Sequence, residues 1–192
     1  MTTPNTNTTA LALSPQTQTQ TQTQTQTQAV IIYTDGGALG NPGPGGFGVI
    51  LEYKGKQKEI SGGFGMTTNN RMELMACIEG LKALKRGCRV KIFSDSQYVV
   101  NSMQKGWARK WRANNWMRNK KDAAENTDLW EELLHLCETH DCSFEWVRGH
   151  AGNPKNERCD QLAKAAASQR GLPVDQGYQD RQGDIDLSPK LP

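Results

Sequence analysis

The chain has 192 residues, a net charge of +3 and five cysteines, none of them in a Cys-x-x-Cys pair. This length fits one α/β domain with its own core, and no apolar run is long enough to cross a membrane. The odd cysteine count argues against a disulfide framework and favours a reduced, cytoplasmic chain, for which a monomer is the default expectation.

The two ends of the chain differ in composition from its middle. Residues 1–28 contain no Lys, Arg, Asp or Glu and end in six Thr-Gln dipeptides. Such a tract has no apolar surface to bury, so we expect a disordered extension. Residues 180–192 are polar and contain prolines, and we expect a flexible tail there. The folded domain is predicted over residues 29–179.

The hydrophobic periodicity of the middle segment changes in a readable order. A continuous apolar run ends in Asp-Gly-Gly, which is typical of a buried strand before a turn, and a hairpin is expected around Lys54-Gly55-Lys56. Helical spacing and strand-like runs then alternate, which points to a mixed sheet flanked by helices. The expected elements are strands over 29–34, 46–53, 57–64, 89–93 and 143–147, and helices over 70–86, 96–104 and 127–138 and from Pro154 onward.

The positive charge is concentrated in one segment. Residues 105–121 contain seven basic residues and no acidic one, which leaves 16 basic against 20 acidic residues elsewhere. A basic stripe on an otherwise slightly acidic protein predicts a surface that binds a polyanion. Three tryptophans lie inside this stripe.

Four acidic residues lie in four separate local patterns: Asp35 in TDGGALGNPGPGGFG, Glu73 in TTNNRMEL, Asp95 in FSDSQYV and Asp160 in GHAGNPKNERCDQLA. Like charges repel at short range, so a fold that brings such carboxylates together usually has cations to hold. Hard oxygen ligands suit Mg²⁺ or Mn²⁺. The pattern favours a metal-dependent phosphodiester hydrolase.

Each acid also has an ordinary structural explanation. Asp35 can be a turn residue before two glycines, and Glu73 is favourable near a helix start. Either Asp95 or Ser94 can cap a helix, and Asp160 can pair with the lysine four residues on. These explanations account for single positions but not for the whole set.

A histidine in a glycine-flanked loop completes the set. His150 is either an idle loop residue or a mobile proton carrier. With it, the four acid-containing stretches resemble type-1 ribonuclease H, the bacterial enzyme family that cuts RNA in RNA–DNA hybrids. The stretches stand in the family's order at compatible separations, and the resemblance covers residues 29–179.

The resemblance implies a fold and a reaction. The fold is a five-stranded mixed sheet, whose first three strands are antiparallel, with helices on both faces. Asp35, Glu73, Asp95 and Asp160 are implied as metal ligands, and His150 as an aid to proton transfer or product release. Two Mg²⁺ ions, which Mn²⁺ can replace, would support hydrolysis of the RNA strand of a hybrid to 5′-phosphate and 3′-hydroxyl ends.

A hybrid duplex is expected to be recognised by its shape and its 2′-hydroxyls. The resemblance implies substrate contacts from amides beside the acids, from tryptophans of the basic stripe and from a pocket for a DNA phosphate. These residues are Asn41, Asn69, Asn70, Gln97, Trp107, Trp111, Trp116, Thr68 and Asn126. The amides can instead serve turns and caps, and the tryptophans can be partly core. Met66 stands where the family often has an arginine beside the phosphate pocket.

Two other functions fit part of the pattern. One is another nuclease of the same superfamily, such as a polymerase-associated hydrolase domain, an integrase or a junction resolvase. The other is a non-catalytic nucleic-acid-binding module built on a decayed enzyme. The complete set of acids together with His150 argues against the second, because a module freed from catalysis needs no four-carboxylate set.

Overall fold

The structure is a computed structural model that describes residues 1, 28–149 and 151–186. The predicted disordered extension lies outside the described residues apart from its two ends, and so do residues 187–192. In chain order the elements are β1 (Val30–Ala38), β2 (Gly43–Tyr53), β3 (Lys56–Thr67), α1 (Asn69–Lys82), β4 (Arg89–Ser94), α2 (Gln97–Gln104), α3 (Trp107–Ala113), α4 (Thr127–Thr139), β5 (Asp141–Trp146), α5 (Pro154–Ala167) and α6 (Gln176–Asp186).

The strands form one five-stranded sheet in the order β3-β2-β1-β4-β5. The β1–β2 and β2–β3 pairs are antiparallel, and the β1–β4 and β4–β5 pairs are parallel. The predicted hairpin is confirmed: Lys54 and Gly55 both have positive φ, which suits the two-residue turn between β2 and β3. The predicted mixed sheet is confirmed as well.

Helices α1 and α5 pack on opposite faces of β1 and β2. A Cβ atom at Gly36 of β1 would lie 2.2 Å from the carbonyl carbon of Met72 in α1. Asp35 faces the opposite side of the sheet, because adjacent strand residues point to opposite faces. Its partner in β2 is Gly48, where a Cβ atom would lie 2.1 Å from the Cys159 carbonyl oxygen of α5. Glycines at these positions therefore let both helices lie against the sheet backbone.

Strand β1 is longer than predicted. The sequence predicts a turn at Asp35-Gly36-Gly37, but the strand continues to Ala38 because residues 35–38 pair with residues 45–48 of β2. Asp35 therefore lies inside a strand and is not a turn residue. Helix α1 in turn ends at Lys82, four residues before the predicted end.

Helix α6 is an element that the sequence does not predict. It crosses residue 180, where we expected a flexible tail to begin. A buried ion pair anchors its start: the Asp175 carboxylate accepts from Arg71 Nε at 2.6 Å and from the Thr67 hydroxyl at 2.6 Å. Asp175 also accepts from the backbone N–H of Tyr178 and so caps the helix. Arg71 donates in addition to both carboxylate oxygens of Asp128 in α4.

No helix among the described residues has the length and apolar character needed to cross a membrane.

Candidate active site

Three of the four predicted carboxylates meet beside the C-terminal end of β4 and the adjoining part of β1, which are interior strands of the sheet. Thr34 and Ser94 are partners in the parallel β1–β4 ladder, so Asp35 and Asp95 follow at neighbouring positions. Glu73 reaches them from α1, which lies close to β1 because Gly36 has no side chain. One carboxylate oxygen from each of the three lies within 4.8 Å of the others.

The cluster is electrostatically unfavourable as three bare anions. Burial, and then the negative charges of Asp95 and Asp160, raise the pKa of Asp35 from 3.8 to about 7. Burial and the charges of Asp35 and Asp95 raise the pKa of Glu73 well above its ordinary value. The Oε2 atom of Glu73 is buried and has no hydrogen-bond partner among the described residues. Hard oxygen donors with one unsatisfied buried oxygen fit a divalent cation.

Asp160 stands beside this cluster. It projects from α5 into a pocket of about 280 Å³ that Asp35 and Glu73 also line. Its Oδ2 accepts from Lys164 Nζ at 2.7 Å, which is the helical ion pair anticipated from the sequence. Asp160 is therefore paired along its helix, and its charge also raises the pKa of Asp35.

The Asp95 side chain is directed toward the cluster and does not cap α2. The alternative of a cap at Asp95 or Ser94 is not what the structure has, because the Ser96 hydroxyl accepts from the Val99 N–H and caps the helix. Asp95 Oδ2 instead accepts from Asn156 Nδ2 at 3.0 Å. Asn156 is buried, and its Oδ1 has no partner among the described residues.

A glycine and an asparagine around Asp95 were not identified from the sequence. A Cβ atom at Gly149 would lie 2.5 Å from Asp95 Oδ2, so only glycine fits there without displacement. Asn156 lies in the same motif as Asp160, four residues earlier. That position in the motif is the sequence feature that could have identified Asn156 as a site residue. His150 follows Gly149 and lies outside the described residues.

Comparison with known proteins decides the family. The family model for RNase H matches residues 27–168. This chain belongs to the ribonuclease H family. The predicted resemblance is confirmed, and three quarters of the chain carry it.

Named relatives and solved structures agree with this assignment. The chain is 64% identical over 146 residues to a ribonuclease H of Desulforamulus reducens, covering 76% of this chain and 92% of the relative. It is 51% identical over 151 residues to ribonuclease HI of Synechocystis, covering 78% and 94%. The crystal structure of LC9-RNase H1, described as a type 1 RNase H with the type 2 active-site motif, is 35% identical with a TM-score of 0.65 over 82% of each chain. LC11-RNase H1 in complex with an RNA/DNA hybrid is 30% identical with a TM-score of 0.57, covering 72% of this chain and 96% of that one.

The predicted amides of this ribonuclease H divide into two groups. Asn69 lines the carboxylate pocket, accepts from the Ala38 N–H at 2.8 Å, and donates its own N–H to the Asn41 side chain at 3.1 Å. Those two amides thus serve the turn chemistry that we held as an alternative. Asn70 and Gln97 are exposed at the starts of α1 and α2.

The three tryptophans of the basic stripe differ in exposure. Trp107 is 40% exposed, and Lys105 Nζ lies 4.8 Å from the centre of its ring. Trp111 packs edge-on against Trp130 at 6.0 Å, and Trp116 packs on the core. Trp107 and Trp111 still line an open pocket of about 400 Å³ together with basic side chains of the stripe. The structure therefore leaves Trp107 as the most accessible of the three.

Thr68 and Asn126 line the same cavity. This cavity of about 230 Å³ lies between the starts of α1 and α4. The Thr68 hydroxyl accepts from the Arg71 N–H as the cap of α1. Asn126 is buried and donates to the Tyr98 hydroxyl at 3.2 Å. Arg181 of α6 enters the same cavity, a residue that the sequence analysis missed.

Proposed function

We propose that this ribonuclease H hydrolyses the RNA strand of RNA–DNA hybrids in a reaction that depends on a divalent metal ion. The observation that carries the proposal is the convergence of Asp35, Glu73 and Asp95 from three separate elements onto one point. Relatives named ribonuclease H and a similar structure that holds an RNA/DNA hybrid support the choice of substrate. A bystander cluster of acids would gain nothing from being buried together.

The residues of the cluster have distinct roles in this proposal. Asp35, Glu73 and Asp95 would hold Mg²⁺, for which Mn²⁺ can substitute, and Asp160 would contribute to a second ion after leaving Lys164. Bound metal would activate the attacking water and neutralise charge on the departing 3′ oxygen, which gives 5′-phosphate and 3′-hydroxyl ends. Asn156 would fix the direction of the Asp95 carboxylate through its hydrogen bond.

Residues around the cluster would assist proton transfer and bind the substrate. His150 would accept or donate a proton at the leaving group or aid release of the product. The exposed Asn70 and Gln97 would reach 2′-hydroxyls in the minor groove, because an amide both donates and accepts. Trp107 and the basic stripe would hold the backbone of the partner strand, in a salt-dependent way.

The five cysteines are all free thiols, which supports a reducing compartment such as the cytoplasm. We propose a monomer whose catalytic domain begins at residue 29 and includes helix α6, beyond the predicted end at residue 179. Sedimentation equilibrium at micromolar concentration tests the monomer, and a mass of twice the chain would exclude it.

The activity is tested with an RNA–DNA hybrid whose RNA strand carries an end label. Duplex DNA, duplex RNA and single-stranded RNA are incubated in parallel, each with Mg²⁺ and with excess chelator. The expected result is Mg²⁺-dependent cleavage of RNA in the hybrid alone. Preferred cleavage of duplex DNA or of branched DNA would favour another nuclease of the superfamily.

A pair of matched variants separates catalysis from binding. Asp35→Asn removes one cluster charge, and Asp141→Asn removes one exposed charge at the start of β5. Asp35→Asn should bind the hybrid and fail to cut it, whereas Asp141→Asn should cut normally. Binding of the hybrid without cleavage by the unaltered protein would leave a binding module and exclude the enzyme.

A further inference from the structure

The cavity shared by Thr68 and Asn126 is closed on one side by the C-terminal helix. Six residues line it: Thr68, Glu125, Asn126, Tyr178, Arg181 and Gln182. Tyr178, Arg181 and Gln182 stand three and four residues apart, so they share one face of α6. Among the six, Arg181 is the single cation and Glu125 the single anion.

Arg181 is incompletely paired in this cavity. Its guanidinium donates to the Asn126 Oδ1, and its Nε is buried with no hydrogen-bond partner among the described residues. No carboxylate within residues 28–149 and 151–182, whose side chains the structure describes, makes a salt bridge to it. A guanidinium with a free donor beside a neutral amide is a site for a tetrahedral oxyanion.

The placement of Arg181 is fixed by the anchor of α6. Asp175 caps this helix and is bound to the buried Arg71, so the start of α6 is held by a charged contact in the interior. Gly177 reinforces the fit, because a Cβ atom there would lie 2.0 Å from Asp128 Oδ2 and 2.7 Å from the Arg71 guanidinium. Arg181 is thus built into the cavity by the fold.

The cavity lies on the same side of the protein as the carboxylate cluster. Thr68 caps α1, and the next residue, Asn69, already lines the carboxylate pocket. Glu73 lies five residues after Thr68, which corresponds to roughly 7.5 Å along the axis of α1. A nucleic-acid duplex bound at the cluster therefore has backbone phosphates within reach of the cavity.

We propose that Arg181 is a substrate-positioning residue: its guanidinium binds a backbone phosphate of the nucleic acid, which makes α6 part of the binding surface. The inference rests on the proposed function for its ligand, because a bound hybrid provides the phosphate.

The test uses three full-length variants with the hybrid as the probe. Arg181→Gln keeps a donor for Asn126 and removes the charge, Arg181→Lys keeps the charge, and Arg89→Gln removes an exposed charge at the opposite end of β4. Dissociation constants are measured by fluorescence anisotropy in chelator over a range of salt concentrations. Thermal melts confirm that each variant is folded.

Arg181→Gln should weaken binding about tenfold at low salt and reduce the slope of log K against log salt by about 0.7–0.9. Arg181→Lys should restore the slope, and Arg89→Gln should leave it unchanged. With Mg²⁺, KM should rise in Arg181→Gln while kcat stays the same, because the residue does not contact the reacting phosphate.

An unchanged slope and KM in a folded Arg181→Gln would overturn the inference and leave α6 a purely structural element. A slope that falls equally in Arg89→Gln would also overturn it, since the effect would then be general charge. Failure of the unaltered protein to cut any hybrid refutes the proposed function instead. The salt slopes still report on Arg181 in that case, so the two failures are distinguishable.

Discussion

Removing the Asp35 charge should stabilise the metal-free protein by an amount that grows as the pH rises from about 4 to about 7. The pKa of Asp35 rises from 3.8 to about 7 on folding, chiefly through burial and then through the charges of Asp95 and Asp160. The folded state therefore binds more protons than the unfolded state across this range, and stability falls as pH rises through it. Each pKa unit corresponds to about 1.4 kcal/mol, which sets an upper value of about 4 kcal/mol above pH 7. Partial exposure of the side chain lowers the expected gain in Asp35→Asn to about 2–3 kcal/mol.

The assay is urea denaturation of the parent and of Asp35→Asn in chelator, followed by tryptophan fluorescence between pH 4 and pH 8. The two free energies of unfolding should differ least near pH 4, where Asp35 is protonated in the folded state and still partly protonated in the unfolded state, and should diverge as pH rises. Asp141→Asn, which alters an exposed carboxylate, should follow the parent within about 1 kcal/mol throughout.

Saturating Mg²⁺ should reverse the order of stability, so that the parent has a larger free energy of unfolding than Asp35→Asn. Only the parent keeps all three carboxylates of the cluster, so it should gain more stability from the ion than Asp35→Asn does. Parallel pH profiles for parent and variant would refute the reasoning, because they would mean that the charges of the cluster do not oppose folding.

Three further changes test other parts of the structure. Asp175→Asn leaves the buried Arg71 without its buried counterion and should destabilise the protein by about 3–5 kcal/mol, while Asp128→Asn, at a partner that is 41% exposed, should cost less in the same urea titration. Equal losses would contradict the assignment of the anchor to Asp175. Gly149→Ala should lower kcat by about tenfold or more by displacing Asp95, without lowering the melting temperature; normal turnover would show that the loop moves aside freely. Deleting residues 1–28 should leave the rate on short hybrids nearly unchanged, and a large drop would mean that the extension grips substrate.

The sequence predicts those parts of the fold that repeat a pattern. The strands, the hairpin and the start of α5 at Pro154 follow from periodicity and turn chemistry, and the structure has them. The predicted end of β1 was wrong because consecutive glycines are typical of a turn. In this protein the absence of a side chain at Gly36 instead lets helix α1 pack closely on the strand. Helix α6 was missed because its polar sequence has little amphipathic character, and a single buried ion pair attaches its start.

The candidate site was predictable only where a motif marks it. Asp35, Glu73 and Asp95 stand in recognisable stretches, and the sheet brings them together. Whether Asp160 joins the cluster or pairs with its neighbour depends on side-chain geometry that spacing along the chain does not show. Arg181 lies outside every motif, so its approach to Asn126 became visible only once α6 was placed.

The buried Arg71 has a consequence for how short a working version of this protein can be. The Arg71 side chain is 1% exposed. The more deeply buried of its two carboxylate partners is Asp175, seven residues beyond the end of the matched family segment. A chain cut at residue 168 would retain every cluster carboxylate but would leave Arg71 with only the partly exposed Asp128 of its two carboxylate partners. The unit that folds is therefore longer than the unit that carries the family signature, and a truncation designed from the signature alone would remove the buried counterion of Arg71 in helix α1, the helix that also carries Glu73.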